Sequence, residues 1–206
     1  MRLGRPPVRA GRPRSAYLRL STRPVDQAPF DRALDRLGED ELRRQVLAGG
    51  YCLDEPGGDG PVVHLAATGA VLPEVLAAAE VLAAEGARPR ILNLTSADRL
   101  FRAWRHDVHR SIATSTTTVD VGHLATLFPP GTRRAPIVTV HDAAPHGLAW
   151  LGGLYGAGVI PLGVERYGQS GALADTYTWH QLDVEAIVNA GLLAIDGFNP
   201  RLSAEG

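Results

Sequence analysis

The chain has 206 residues, enough for one domain with an appendage that buries roughly 70% of its unfolded surface. Its formal net charge is −1, which argues against a nucleic-acid partner held by bulk electrostatics, and no apolar run approaches the roughly 20 residues of a membrane helix. Cys52 is the single cysteine and all 21 basic residues are arginine, which excludes an internal disulfide, a cysteine-rich zinc site, a lysine Schiff base and a phosphate-loop lysine. A reducing, cytoplasmic setting fits that cysteine usage.

Met1 to Arg14 is a Pro/Gly/Arg stretch without acids, predicted to be a disordered tail (1–14); it lacks the apolar run of a secretory signal. Ala16 to Leu20 alternates like one short strand, and a strand needs a sheet to join. Asp31 to Ala48 is helix-prone, split near Gly38-Glu39-Asp40 and ended by Gly49-Gly50, and Tyr51 to Leu53 suits a short edge strand. After a Gly-rich turn over 55–61, Val62 to Ala67 reads as a strand followed by Thr68-Gly69. A helix then starts near Pro73 with Leu72, Val75, Leu76, Ala79 and Leu82 on its inner face, and Gly86 ends it.

Ile91 to Leu94 is the next strand, and Thr95-Ser96-Ala97-Asp98 carries a capping signature. The helix beyond it points Leu100, Phe101, Trp104 and Val108 inward and Arg99, Arg102 and Arg105 outward. Val121 to Phe128 suits a short helix, Pro136 to Val140 and Val159 to Val164 two more strands, and Leu148 to Tyr155 a buried helix. Asp183 is placed to cap a last helix with Val184, Ile187, Val188, Gly191, Leu192 and Ile195 inside, stopped by Gly197. Strand and helix alternate, so the predicted fold class is α/β: an open, mostly parallel sheet with helices on both faces.

Four groups invite chemistry. Gly58-Asp59-Gly60 with Asn93 has the residue types that hold a metal on a diphosphate, but the triplet precedes a strand instead of following one. Ser170 with Asp175 and His180 suggests a hydrolytic triad, but Ala172 breaks the G-x-S-x-G elbow and the acid and base are five residues apart. His106 and His109 share a helix face with no third metal ligand assigned by the sequence. His141-Asp142-Ala143-Ala144-Pro145-His146 lies where a strand ends and a helix opens, the place where open α/β sheets gather ligands and where helix amides hold anions. Two readings stand there: a ligand site, or Asp142 capping the helix with His146 at a subunit contact.

Several segments resemble the carboxyl-terminal domain of the transketolase superfamily: Leu65 to Gly69, Leu92 to Trp104 (LNLTSADRLFRAW), His141 to Gly153 (HDAAPHGLAWLGG) and Gly163 to Asp183 (GVERYGQSGALADTYTWHQLD). Within it the homodimeric pyruvate dehydrogenase first component and its transketolase-like relatives are the most similar. Tyr17 to Asp26 and Leu42 to Tyr51 are similar to the tail of that family's pyrimidine-binding domain and its linker, and Asn199-Pro200-Arg201-Leu202 to its chain end. The resemblance implies a remnant of the pyrimidine-binding domain and linker over 15–60 and the carboxyl-terminal domain over 61–206. Where relatives carry Gly-His between the aspartate and the proline, this chain has Ala143-Ala144.

What the resemblance implies for function is a structural and dimerisation domain, a fragment or split subunit of a thiamine-diphosphate-dependent enzyme. The cofactor, thiamine diphosphate with magnesium, belongs to the complete enzyme, so no catalytic, cofactor-binding or metal residue is expected on this chain. The implied partner is a second copy or a separate chain carrying the cofactor domains; no nucleic acid and no membrane is expected. His141, Asp142, His146, Gln169 and Ser170 are the candidate ligand or interface residues. The competing expectations are a stand-alone interaction or anion-sensing module and a truncated gene product.

Overall fold

A computed structural model describes residues 23–198 apart from Pro56, Asp120, Tyr167 and Gln169. The expected tail over 1–14, the strand over 16–20 and the chain end over 199–202 lie outside the described residues.

Helices α1 (Ala28–Leu37) and α2 (Glu39–Ala48) meet at Gly38 and lead into strand β1 (Tyr51–Asp54). Then follow β2 (Val62–Thr68), α3 (Leu72–Ala84), β3 (Arg88–Asn93), α4 (Ala97–Ala113), α5 (Leu124–Leu127) and β4 (Ile137–His141). A short α6 (His146–Ala149), a 3-10 turn over Trp150–Gly153, β5 (Val159–Leu162), α7 (Leu173–Trp179) and α8 (Val184–Phe198) complete the described chain. The strands form one sheet in the order β1-β3-β2-β4-β5. β1 runs antiparallel to β3 and every other pairing is parallel, with Leu65 opposite Ile91 on one side and Val138 on the other.

Period-two alternation sends successive residues of each strand to opposite faces. On one face Val63, Leu65 and Ala67 of β2, Ile91 of β3 and Val138 and Val140 of β4 pack in a cluster with Ala33 of α1, Val75, Ala78 and Leu82 of α3, and Ile187 and Ala194 of α8. On the other, Ala66, Leu92 and Ile137 pack with Leu100 of α4, Leu124 and Leu127 of α5, Phe128, Leu148 and Leu151. Helices therefore cover both faces, as the alternation of elements predicts. The outer backbone of β1 is also tied: Arg36 of α1 donates to the carbonyls of Cys52 (2.5 Å) and Leu53 (3.4 Å).

Three local expectations need correction. Ser96 stands at the N-cap of α4 without a side-chain capping bond; its backbone N–H donates to Gly49, and Thr95 Oγ1 donates to the Val46 carbonyl, so the signature anchors the loop to α2. Leu148 to Tyr155 is no continuous buried helix: only Leu148 and Leu151 are buried, and the chain tightens to a 3-10 turn. Two glycines weaken the helix there, and a Cβ on Gly152 would lie 2.6 Å from Val159, so close packing on β5 takes precedence over helix length. Helix α8 runs one residue past Gly197 to Phe198. The cap by Asp183 is as expected, its Oδ1 accepting from Ala186 N–H at 3.0 Å.

His64 of β2 is fully buried on the second face, its Nε2–H donating to the Thr132 carbonyl at 2.8 Å, with its ring edge-on to Phe128. Arg90, in register beside it and 5% exposed, donates to the Leu127 carbonyl at the end of α5, and its Nε lies 3.0 Å from Glu55. Burial pushes the His64 pKa down to about 4; the Thr132 bond opposes this and the Arg90 charge reinforces it. The unfolded imidazole, with an ordinary pKa of about 6.5, takes up its proton first as pH falls. The stability from neutral His64 is thus complete above about pH 6.5 and lost as pH falls toward 4, on the order of 3 kcal/mol in all. Urea unfolding at pH 7 and 4.5 is expected to show this loss in the native chain and a much smaller one in His64→Gln; equal losses would refute it.

Candidate functional site

The sheet has a reversal point. β2 lies between β3 and β4; the helix after β2, α3, packs on the first face, and the segment after β4 packs on the second. Connections leaving neighbouring strands in opposite directions open a crevice beyond their carboxyl ends, the usual ligand place of open α/β sheets. Here its walls are the Thr68-Gly69-Ala70 turn after β2 and His141-Asp142 at the end of β4.

The turn depends on Gly69. Its φ is +91°, and a Cβ there would sit 2.4 Å from Asp142 Oδ1. The Asp142 carboxylate instead reaches across to accept from Ala70 N–H at 3.4 Å. It does not cap α6, whose N-cap position is Pro145 without a side-chain capping bond. The protein's own carboxylate thus satisfies the Ala70 amide, two residues ahead of α3. His141 Nε2 stands 4.0 Å from Asp142 Oδ1, and the side chains of both are about one-fifth exposed (20% and 17%).

The third wall comes from outside the run that the sequence singles out. Arg23, at the entry to the domain, places Nη1 2.7 and 2.8 Å from the two Glu74 oxygens and 3.5 Å from the Ala70 carbonyl. Its guanidinium carbon lies 5.9 Å from the centre of the buried Tyr177 ring on α7. Burial works against the Arg23 charge, but Glu74 and Tyr177 outweigh it and hold the pKa above its ordinary value. Tyr177 is pushed up as well, by burial first and then by the negative charges of Glu74 and Asp142, with Arg23 opposing.

The remaining sequence candidates fall elsewhere. His146 opens α6 and is exposed, Ser170 lies in the exposed loop ahead of α7, and Gln169 is outside the described residues. Asp175 on α7 and His180 at its end line an open groove beside β5 of about 690 Å³, with Glu165, Arg166 and Trp179. His106 and His109 are exposed on α4, His109 paired with Arg105 at 3.0 Å. Cys52 is half-buried and burial pushes its thiol up, away from nucleophilic character. Among the described residues no group of three or more His, Cys, Asp and Glu side chains could hold a metal ion, and no helix is long and apolar enough to cross a membrane.

The diphosphate-like pair can now be tested. Gly58-Asp59-Gly60 precedes the amino end of β2, whereas Asn93 is the last residue of β3, where its side chain donates to Tyr51. Val62 pairs with Arg88 in the parallel register, so the two features lie at opposite ends of the sheet, about 17 Å apart along the strand. Asp59 and Asn93 do not meet on one diphosphate or one metal, so this pair does not form a thiamine diphosphate site.

A five-stranded open sheet with one antiparallel edge, wound in both directions from β2, defines an open, mostly parallel α/β domain. The family model of the transketolase-like TK C-terminal domain matches residues 49–183, and the chain belongs to that family. The fold is similar to that of transketolase from Leishmania mexicana (TM-score 0.51, 22% identity, 76% of this chain and 19% of that one). It is also similar to the Pichia stipitis enzyme in complex with sedoheptulose-7-phosphate (TM-score 0.51, 16% identity, 75% of this chain and 19% of that one). A split-gene transketolase described as an inactive beta4 tetramer aligns at TM-score 0.49 and 18% identity, over 72% of this chain and 42% of that one. The chain therefore spans less than half of the length of each of these structures. No curated protein sequence matches it.

Proposed function

We propose that this chain is the carboxyl-terminal structural and subunit-joining domain of a thiamine-diphosphate-dependent enzyme of pyruvate dehydrogenase or transketolase type, and that it has no catalytic activity alone. Family membership over residues 49–183, with Asp59 and Asn93 at opposite ends of the sheet, carries the reading. In the complete enzyme, domains over and above this one bind thiamine diphosphate and magnesium, and residues 15–60 lead in from the pyrimidine-binding domain. The cofactor domains come from a longer version of the chain or from a separate polypeptide, and the assembly is cytoplasmic.

His141, Asp142, His146, Gln169 and Ser170 are proposed as ligand or subunit-interface residues. Asp142 accepts from the Ala70 amide of its own chain, whereas His146 and Ser170 are exposed. Isothermal titration of the chain with thiamine diphosphate and magnesium is expected to give no micromolar binding. Micromolar affinity with one-to-one stoichiometry would overturn the reading.

A further inference from the structure

Three groups from two parts of the fold converge on Arg23. Glu74 presents both carboxylate oxygens from the first turn of α3, and Ala70 turns its carbonyl toward the same nitrogen. Tyr177 of α7 offers its ring face. Asp142, just past β4, holds the Ala70 turn from behind. Arg23 and Glu74 are 51 residues apart, so no local helix spacing brings them together, and their side chains are 29% and 14% exposed.

Exposed ion pairs contribute little, because water screens them and long side chains lose freedom. This pair differs in being half-withdrawn from water and backed by an aromatic ring. The carboxylate and the carbonyl share one terminal nitrogen, Nη1, so what sets arginine apart from lysine here is the guanidinium plane laid toward the Tyr177 ring.

We infer that the crevice beyond β2 and β4 is a guanidinium socket, and that it docks the segment entering the domain by taking up that segment's own Arg23. The place where open α/β sheets commonly hold a small molecule is thus filled by the chain itself. The socket fixes how the segment from Arg23 to α1 enters the domain. The inference rests on side-chain geometry and not on the proposed thiamine chemistry.

The test uses the full chain and its Arg23→Ala variant. Amide hydrogen exchange over residues 23–30 is expected to quicken about tenfold in the variant. Ethylguanidinium at millimolar concentration is expected to restore the slow exchange, whereas ethylammonium at equal ionic strength is not. Arg23→Lys, which keeps the charge and loses the guanidinium plane facing Tyr177, is expected to exchange nearly as fast as Arg23→Ala. In Glu74→Ala, which lacks the carboxylate of the socket, neither salt should slow exchange. Unchanged exchange in Arg23→Ala, equal rescue by the two salts, or full protection in Arg23→Lys would each overturn the socket. Failure of the thiamine reading would leave all of these outcomes as they are.

Discussion

Gly69→Ala is expected to destabilise the domain by about 2–5 kcal/mol, measured by urea unfolding at pH 7. Two costs add. Holding an L-residue at φ +91° costs about 1–2 kcal/mol, and forcing a methyl group against the Asp142 carboxylate costs about 1–3 kcal/mol more. The steric part is separable: Cβ would meet all three outer atoms of the Asp142 side chain between 2.4 and 2.6 Å, so Asp142→Ala should remove it while the backbone cost stays. The double variant is therefore expected to be more stable than the sum of the single changes allows. A loss below about 1 kcal/mol in Gly69→Ala, or strict additivity in the cycle, would show that the crevice is looser than described.

Phe128→Ala is expected to cost about 3–5 kcal/mol, because Phe128 is fully buried and holds the short α5 to the second face of the sheet. The change has a second readout. The Phe128 ring lies edge-on to His64 with centroids 5.0 Å apart, and it is part of what keeps water from that imidazole. Removing it should bring the His64 pKa back toward the ordinary value, so the acid loss between pH 6.5 and 4 becomes shallower even as stability at pH 7 falls. Denaturant midpoints across that pH range check both effects. An unchanged acid slope would mean that burial by other groups, Arg90 and the Thr132 loop among them, suffices to keep His64 neutral.

The strands were legible because buried parallel strands read as mainly apolar runs: Val62 to Ala67, Ile91 to Leu94 and Ile137 to Val140 each hold a single polar residue, His64, Asn93 and Thr139, between turn residues. Helices α3 and α8 were legible from the recurrence of Val75, Ala79 and Leu82 and of Ile187, Gly191 and Ile195. The family was legible as well, from motifs spread along the chain. Periodicity carries no record of which strand lies beside which, so the order β1-β3-β2-β4-β5 and the reversed direction of β1 were not.

The crevice was half legible. The end of β4 could be singled out because a short polar run interrupts an apolar pattern at a strand end. Its partners could not, since Ala70 is 72 residues from Asp142 and Arg23 is 51 from Glu74, and nothing local marks the pairs. The one available signal was Thr68-Gly69 followed by a helix with an acid in its first turn, Glu74. His64 was missed for the opposite reason. It is a polar residue inside an apolar strand, and only its depth, together with the carbonyl of Thr132, shows that it is a neutral structural group.

The bonds from Arg36 to the carbonyls of β1 have a consequence for assembly. A sheet border with open carbonyls and amides invites a further strand from any chain that meets it, and uncontrolled addition of that kind ends in filaments. Arg36 occupies two carbonyls of β1, so a strand that added at this border would have to displace its guanidinium.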